Sequence, residues 1–199
     1  MKTQTNLSGH VGSKRRLSVS DIAEMPVPQR IQHISISPLT KAEAGFLLEM
    51  MYHAIYVPEG AEPLPRSIVK KPEIIRYVEN WGRKDDTGFI AIDEVKQCEV
   101  GAVWVRLLTG ENRGYGYVND ATPELSIAVI PEYRDSGVGT KLLTRLLKET
   151  EGRWKSISLS VTLDNPAVRL YRRFGFESVC TSGDSLTMIK RLSRGKRRK

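Results

Sequence analysis

The chain has 199 residues, 40% hydrophobic and 27% charged, the balance of an ordinary globular protein of one domain. No apolar run approaches the roughly 20 residues that span a bilayer, and residues 1–20 lack a signal-peptide core, so the expected setting is cytoplasmic with no membrane role. Of the 31 Lys and Arg behind the net charge of +8, five lie in residues 1–30 and seven in residues 190–199. That leaves 19 basic against 21 acidic residues between them, which excludes a nucleic-acid partner except through the basic ends.

Residues 1–29 mix Ser, Gly, Pro and charge without periodicity and are expected to form a flexible arm. Ile31–Ile36 alternates as a strand does, and Thr40 with Glu43 has the spacing of a capping box ahead of a helix over Lys41–Val57. Three prolines, Pro58, Pro63 and Pro65, keep the next stretch irregular. Pro72 then opens a second helix through Ile74, Ile75, Val78 and Trp81, ending at Gly82. Gly88–Ile92 and Val100–Leu108 read as an antiparallel hairpin, followed by a glycine-bearing loop over Thr109–Thr122. Glu124–Ile130, Gly137–Glu149 and Ser156–Val161 read as a strand, helix, strand crossover. A helix from Asn165-Pro166 to Gly175 and two strands, Phe176–Cys180 and Ser185–Ile189, complete a domain spanning 30–191. The remainder, 192–199, is a basic tail. Cys98 and Cys180 have no metal or redox spacing and read as small buried apolar residues; His10, His33 and His53 have no ligand partners, so no metal is expected.

The chemistry concentrates in Glu124-Leu-Ser-Ile127-Ala128-Val129-Ile-Pro-Glu-Tyr-Arg134-Asp135-Ser136-Gly137-Val138-Gly139-Thr140. A strand runs into a glycine turn and then a helix start. Glycines let backbone approach a ligand, and the first-turn N–H groups with the helix dipole favour a phosphate. Gly-x-Gly alone also suits a packing turn or a dinucleotide site. The full Gly-x-Gly-x-x-Gly is absent, since position 142 is Leu, and so is the Lys-Ser/Thr of a P-loop.

Arg134-Asp-Ser-Gly137-Val-Gly139 resembles the Arg/Gln-x-x-Gly-x-Gly/Ala pattern of GNAT-type acetyltransferases. Ser158 to Phe176, with Asn165, Tyr171 and Gly175-Phe176, resembles that family's second motif. The likeness covers roughly Ile31–Arg191. It implies an α/β (mixed α+β) fold: a largely antiparallel sheet of six to seven strands, about four flanking helices and a splayed central parallel pair. It implies an N-acetyltransferase that moves an acetyl group from acetyl-CoA, its co-substrate, to a primary amine by direct attack in a ternary complex, without a metal.

By the same resemblance, Ile127, Ala128 and Val129 offer backbone groups to the pantetheine arm, and the Val129 N–H polarises the thioester carbonyl. Arg134, Asp135, Ser136, Gly137, Val138, Gly139 and Thr140 cradle the pyrophosphate. Tyr171 is the general acid that protonates the departing thiolate, or else a half-buried aromatic. Asn165 meets the pantetheine region, caps its helix, or does both. Glu124 is a candidate general base, the alternative being a surface carboxylate at a strand end.

The acceptor, a small-molecule or peptide amine, is expected between the first two helices and the segment Glu111–Asp120. Tyr52, Tyr56, Trp81, Trp104, Tyr115 and Tyr117 are the aromatics available there. A catalytically silent acyl-CoA-binding sensor is the competing reading, with basic tails contacting nucleic acid or an anionic surface. The chain is expected as a monomer, or as a homodimer paired through an edge strand near its C-terminus.

Overall fold

Seven strands form one sheet in the order β1-β2-β3-β4-β5-β7-β6 in a computed structural model that describes residues 33–193. The arm 1–29 and the tail beyond Ser193 lie outside the described residues. Leu192, at the start of that tail, still donates its N–H to the Lys155 carbonyl and packs on the core.

The strands are β1 (Ile34–Pro38), β2 (Thr87–Asp93), β3 (Cys98–Arg106), β4 (Glu124–Val129), β5 (Ser156–Thr162), β6 (Glu177–Ser182) and β7 (Ser185–Arg191). The helices are α1 (Ala44–Ala54), α2 (Pro72–Ile75), α3 (Val138–Thr150) and α4 (Ala167–Arg173). The mixed architecture with a mostly antiparallel sheet, one parallel pair and four helices is the one expected.

Alternation decides the two faces of the sheet. Leu125 of β4 and Ile157, Leu159 and Val161 of β5 pack with Leu142, Leu143, Leu146 and Leu147 of α3 in one core. Each such burial contributes roughly 1.5–3 kcal/mol. The opposite face packs Ala102, Trp104 and Ala128 against Leu47, Met50 and Met51 of α1 in a second core.

The Thr40–Glu43 capping box forms, with the Glu43 carboxylate accepting from the Thr40 N–H at 2.7 Å, although the first turn is 3-10 and α1 proper begins at Ala44. β1 starts three residues later than its alternation suggested and ends two later. The second helix is much shorter than expected: only one turn, Pro72–Ile75, is α-helical. Its continuation loses carbonyls to β3, because Arg106 Nη1 donates to the carbonyls of Arg76 (3.0 Å) and Glu79 (2.7 Å) and Trp104 Nε1 to that of Tyr77 (3.1 Å). Val78 and Trp81 are nevertheless buried, and Gly82 turns the chain at φ 98°.

The cysteine expectation is corrected at one position. Cys98 is half-buried against the core, but Cys180 is exposed, because β6 is an edge strand whose six residues all face solvent. No helix among the described residues is long and apolar enough to cross a membrane.

The feature that positions the site is a seam. β3 and β4 pair over six registered positions and β5 and β7 over seven, whereas β4 and β5 share one, Glu124 with Ser158. Beyond that point each strand follows its antiparallel neighbour, and the parallel pair opens as anticipated.

Candidate active site

After β4 a 3-10 turn, Pro131–Tyr133, leads into two left-handed positions, Asp135 (φ 54°) and Gly137 (φ 92°), before α3 starts at Val138. Side chains fix the turn from below. Ser136 is buried and its hydroxyl donates to the Tyr133 carbonyl; the Tyr133 hydroxyl donates to Asp93 at 2.5 Å. Asp93 also accepts the N–H groups of Val95 and Lys96, which ties the turn to the β2–β3 hairpin.

The first-turn N–H groups of α3 have no intrahelical carbonyl to meet, and the helix dipole favours an anion there. A Cβ built on Gly139 would meet only Leu170 at 3.6 Å and Ile127 at 4.0 Å, ordinary contacts. The protein thus has room for a side chain where it has none, and the open cradle fits a phosphate-bearing ligand. Arg173, which sequence reasoning missed, donates from Nη2 to Thr140 Oγ1 at 3.0 Å and brings a cation to the same turn. Arg134 is turned back, its Nε donating to the Val129 carbonyl at 3.2 Å.

A cavity of about 330 Å³ occupies the seam where β4 and β5 part. Leu125, Ser126 and Ile127 line it from one strand and Ser160, Val161 and Thr162 from the other. Four of the expected site residues meet there: Glu124, Ile127, Asn165 and Tyr171. Ala128, Val129 and the turn from Arg134 to Thr140 are not part of its lining; they lie farther along the chain.

Glu124 is not the surface carboxylate of the alternative reading. It is 2% exposed, and three donors converge on it: the N–H of Gly114 on Oε1 at 3.0 Å, and the N–H of Gly116 (2.7 Å) and the Tyr77 hydroxyl (3.0 Å) on Oε2. Burial raises its pKa above the usual carboxylate value, and the Gly116, Tyr77 and Gly114 donors, with Arg76 nearby, pull the other way without cancelling it. A carboxylate so placed is a stronger proton acceptor than one in water.

Tyr171 is 7% exposed, packs edge-to-face on Phe176 with ring centroids 5.8 Å apart, and has its pKa pushed well up by burial. It therefore holds its proton across the physiological range, as a proton donor must. Asn165 does cap the helix start, Oδ1 accepting the Ala167 N–H at 2.9 Å, while also lining the cavity.

Of the six aromatics proposed for the acceptor side, Tyr56 and Tyr115 line the cavity. Trp81 and Trp104 are core residues, Tyr52 donates to the Leu64 carbonyl, and Tyr117 donates to Asp120. The aromatic that sequence reasoning missed is Tyr77, whose position in an apolar helical pattern marks it only as packing. Its sole sequence signal lies elsewhere, in the Gly114-Tyr-Gly116 spacing that permits a close backbone approach.

Residues 84–178 match the acetyltransferase (GNAT) domain family. An uncharacterized N-acetyltransferase of Methanocaldococcus jannaschii is 27% identical over 177 residues, which cover 85% of this chain and 72% of that protein. The N-alpha-acetyltransferase 50 of Danio rerio is 33% identical over 85 residues, 41% of this chain and 47% of that protein. The crystal structure of the PaiA N-acetyltransferase from Thermoplasma acidophilum, in complex with coenzyme A, shares the fold with a TM-score of 0.55 at 21% identity, over 80% of this chain and 99% of that one. Two motifs in order, a sheet opened at the expected seam and these likenesses lead to one conclusion: residues 84–178 form an acetyltransferase domain of the GNAT type.

Proposed function

We propose that the chain acetylates a primary amine by direct attack within a ternary complex, with Glu124 as proton acceptor and Tyr171 as proton donor. The observation that carries this reading is their convergence on one cavity in the opened β4–β5 seam, with the Glu124 carboxyl raised above its ordinary value by burial and Tyr171 protonated beside it. Acetyl-CoA, the acetyl donor of this family, supplies an activated acyl group as a thioester. The turn from Arg134 to Thr140 would hold its pyrophosphate, and the β4 backbone at Ile127, Ala128 and Val129, with Asn165, its pantetheine arm.

Glu124 takes a proton from the incoming ammonium, directly or through water, because only the neutral amine has a lone pair for attack. The Val129 N–H would polarise the thioester carbonyl that the amine attacks, and Tyr171 gives its proton to the leaving sulfur. Activity should therefore rise with pH through the raised Glu124 value, since only the ionised carboxylate accepts a proton.

Met51, Ala54, Ile55 and Ile74 give the acceptor side of the cavity an apolar wall. Such a wall suits an amine carried on an apolar body, such as the α-amine of a peptide, better than a polyamine with several charges. The likeness to an N-alpha-acetyltransferase points the same way. The test is calorimetry with acetyl-CoA against NAD and ATP, followed by coenzyme A release with peptides bearing a free α-amine and with spermidine. Acetyl-CoA binding without turnover of any amine would replace this reading with that of a silent acyl-CoA sensor.

A further inference from the structure

The Glu124 carboxylate is enclosed by a glycine loop that has no room for anything else. A Cβ on Gly114 would lie 2.2 Å from the Tyr77 hydroxyl and 2.6 Å from each Glu124 oxygen; one on Gly116 would lie 2.7 Å from the Leu159 carbonyl carbon and 3.0 Å from Glu124 Oε2. The Tyr77 hydroxyl is the hub: it donates to Glu124 and accepts the Tyr115 N–H at 2.7 Å. Its neighbour Arg76 fastens the same loop from the other side, Nη1 donating to the Arg113 carbonyl at 2.7 Å. Tyr77 is itself held by Trp104, which takes its carbonyl, and by burial in the second core.

From this geometry we propose that Tyr77, together with the Gly114-Tyr115-Gly116 loop, is the positioning device that aims the Glu124 carboxylate into the cavity, with Tyr115 carried by the same loop to the cavity rim as its acceptor-facing edge. The proposal rests on the reading of Glu124 as the proton acceptor. Tyr115 is 62% exposed and lines the cavity, so a bound acceptor touches the loop whose backbone holds the base.

The charged and titratable groups around Glu124 are Arg76 and Tyr77 from the chain after α2, Tyr115 from the loop, Tyr56 after α1, Tyr171 from α4 and Arg106 from β3. Arg106 is occupied by Asp86, with Nη2 at 2.7 Å, so Tyr77 is the side chain that donates to the carboxylate directly. Donors to the ionised form favour it, and removing one moves the ionisation to higher pH.

The experiment is the pH dependence of kcat/KM for acetylation of a tetrapeptide with a free α-amine, together with a carbon-13 NMR titration of the Glu124 carboxyl. Both are run on the full chain and on Tyr77→Phe and Gly114→Ala; the pH profile is also taken on Glu124→Gln, whose spectrum assigns the Glu124 carboxyl signal by its loss. Tyr77→Phe should move the acid limb and the carboxyl titration up by about half a unit to one unit. It should also lower kcat roughly tenfold to a hundredfold, as expected for a misplaced group, with KM for acetyl-CoA unchanged. Gly114→Ala, which pushes a methyl group against the Tyr77 hydroxyl and the Glu124 carboxylate without removing either, should shift both readouts in the same direction and is a second, independent disturbance of the same contact. Wild-type acid limb, kcat and titration in both variants would overturn the proposal. An unchanged acid limb in Glu124→Gln would overturn the base assignment instead, a separate failure.

Discussion

The turn from Arg134 to Thr140 and the loop from Gly114 to Gly116 both present backbone N–H groups beside glycines, but only the second surrounds an anion of the protein itself. At Gly114 the anion is the protein's own Glu124, so close that a methyl group would collide with it at 2.6 Å. At Gly139 the nearest protein atom to an added Cβ is 3.6 Å away, and nothing in the fold demands glycine. The filled cradle is internal architecture that holds the Glu124 carboxylate, whereas the open one leaves room for the ligand proposed above.

The largest expected effect tests the filled cradle. Glu124→Gln should lower kcat by roughly two to four orders of magnitude, the usual worth of a general base, and remove the acid limb of the pH profile. Tyr171→Phe should lower kcat by roughly a hundredfold, at the lower end of that range, with acetyl-CoA affinity by calorimetry unchanged. Gly139→Asp probes the open cradle: a carboxylate in the phosphate position should weaken acetyl-CoA binding roughly tenfold to a hundredfold while the thermal midpoint stays near wild type. If that variant binds normally, the cradle is no phosphate site and the comparison fails.

The Tyr77 segment is held by a buried pair, Arg106 Nη2 to Asp86 at 2.7 Å, with side chains 1% and 3% exposed. Arg106→Met strands a buried carboxylate and should cost about 3–5 kcal/mol in urea unfolding. Cys180→Ser, on the exposed edge strand, should change stability by less than about 0.5 kcal/mol and serves as the control.

The phosphate turn was legible because its information is local. Gly137 and Gly139 stand between a strand and a helix in one run of sequence, and the helix start needs no distant partner to attract an anion. The same locality made the Thr40 capping box, the hairpin and the apolar stripe of α3 readable. Asn165 and Tyr171 were readable as candidates for a different reason, a resemblance of motif, and the fold then placed both on the cavity.

What could not be read was anything settled by partners far apart in the chain. Tyr77 meets Glu124 across 47 positions, and Arg106 reaches back 30 positions to the Arg76 carbonyl, so local pattern showed only an amphipathic helix. That helix is cut to one turn because β3 side chains take its carbonyls. Cys180 is exposed because sheet order, which no window of sequence contains, puts β6 at the edge.

The sequence by itself determined the strand and helix alphabet, the glycine turn ahead of a helix, and the residue types available for proton transfer, because periodicity, capping and backbone freedom act over a few residues. Only the tertiary structure decided that Glu124 is buried with three donors, that Tyr77 is among them, and that a cavity opens beside both. These follow from how β4 pairs with β3 and β5 with β7, leaving a single registered pair at Glu124 and Ser158 from which the two halves of the sheet diverge.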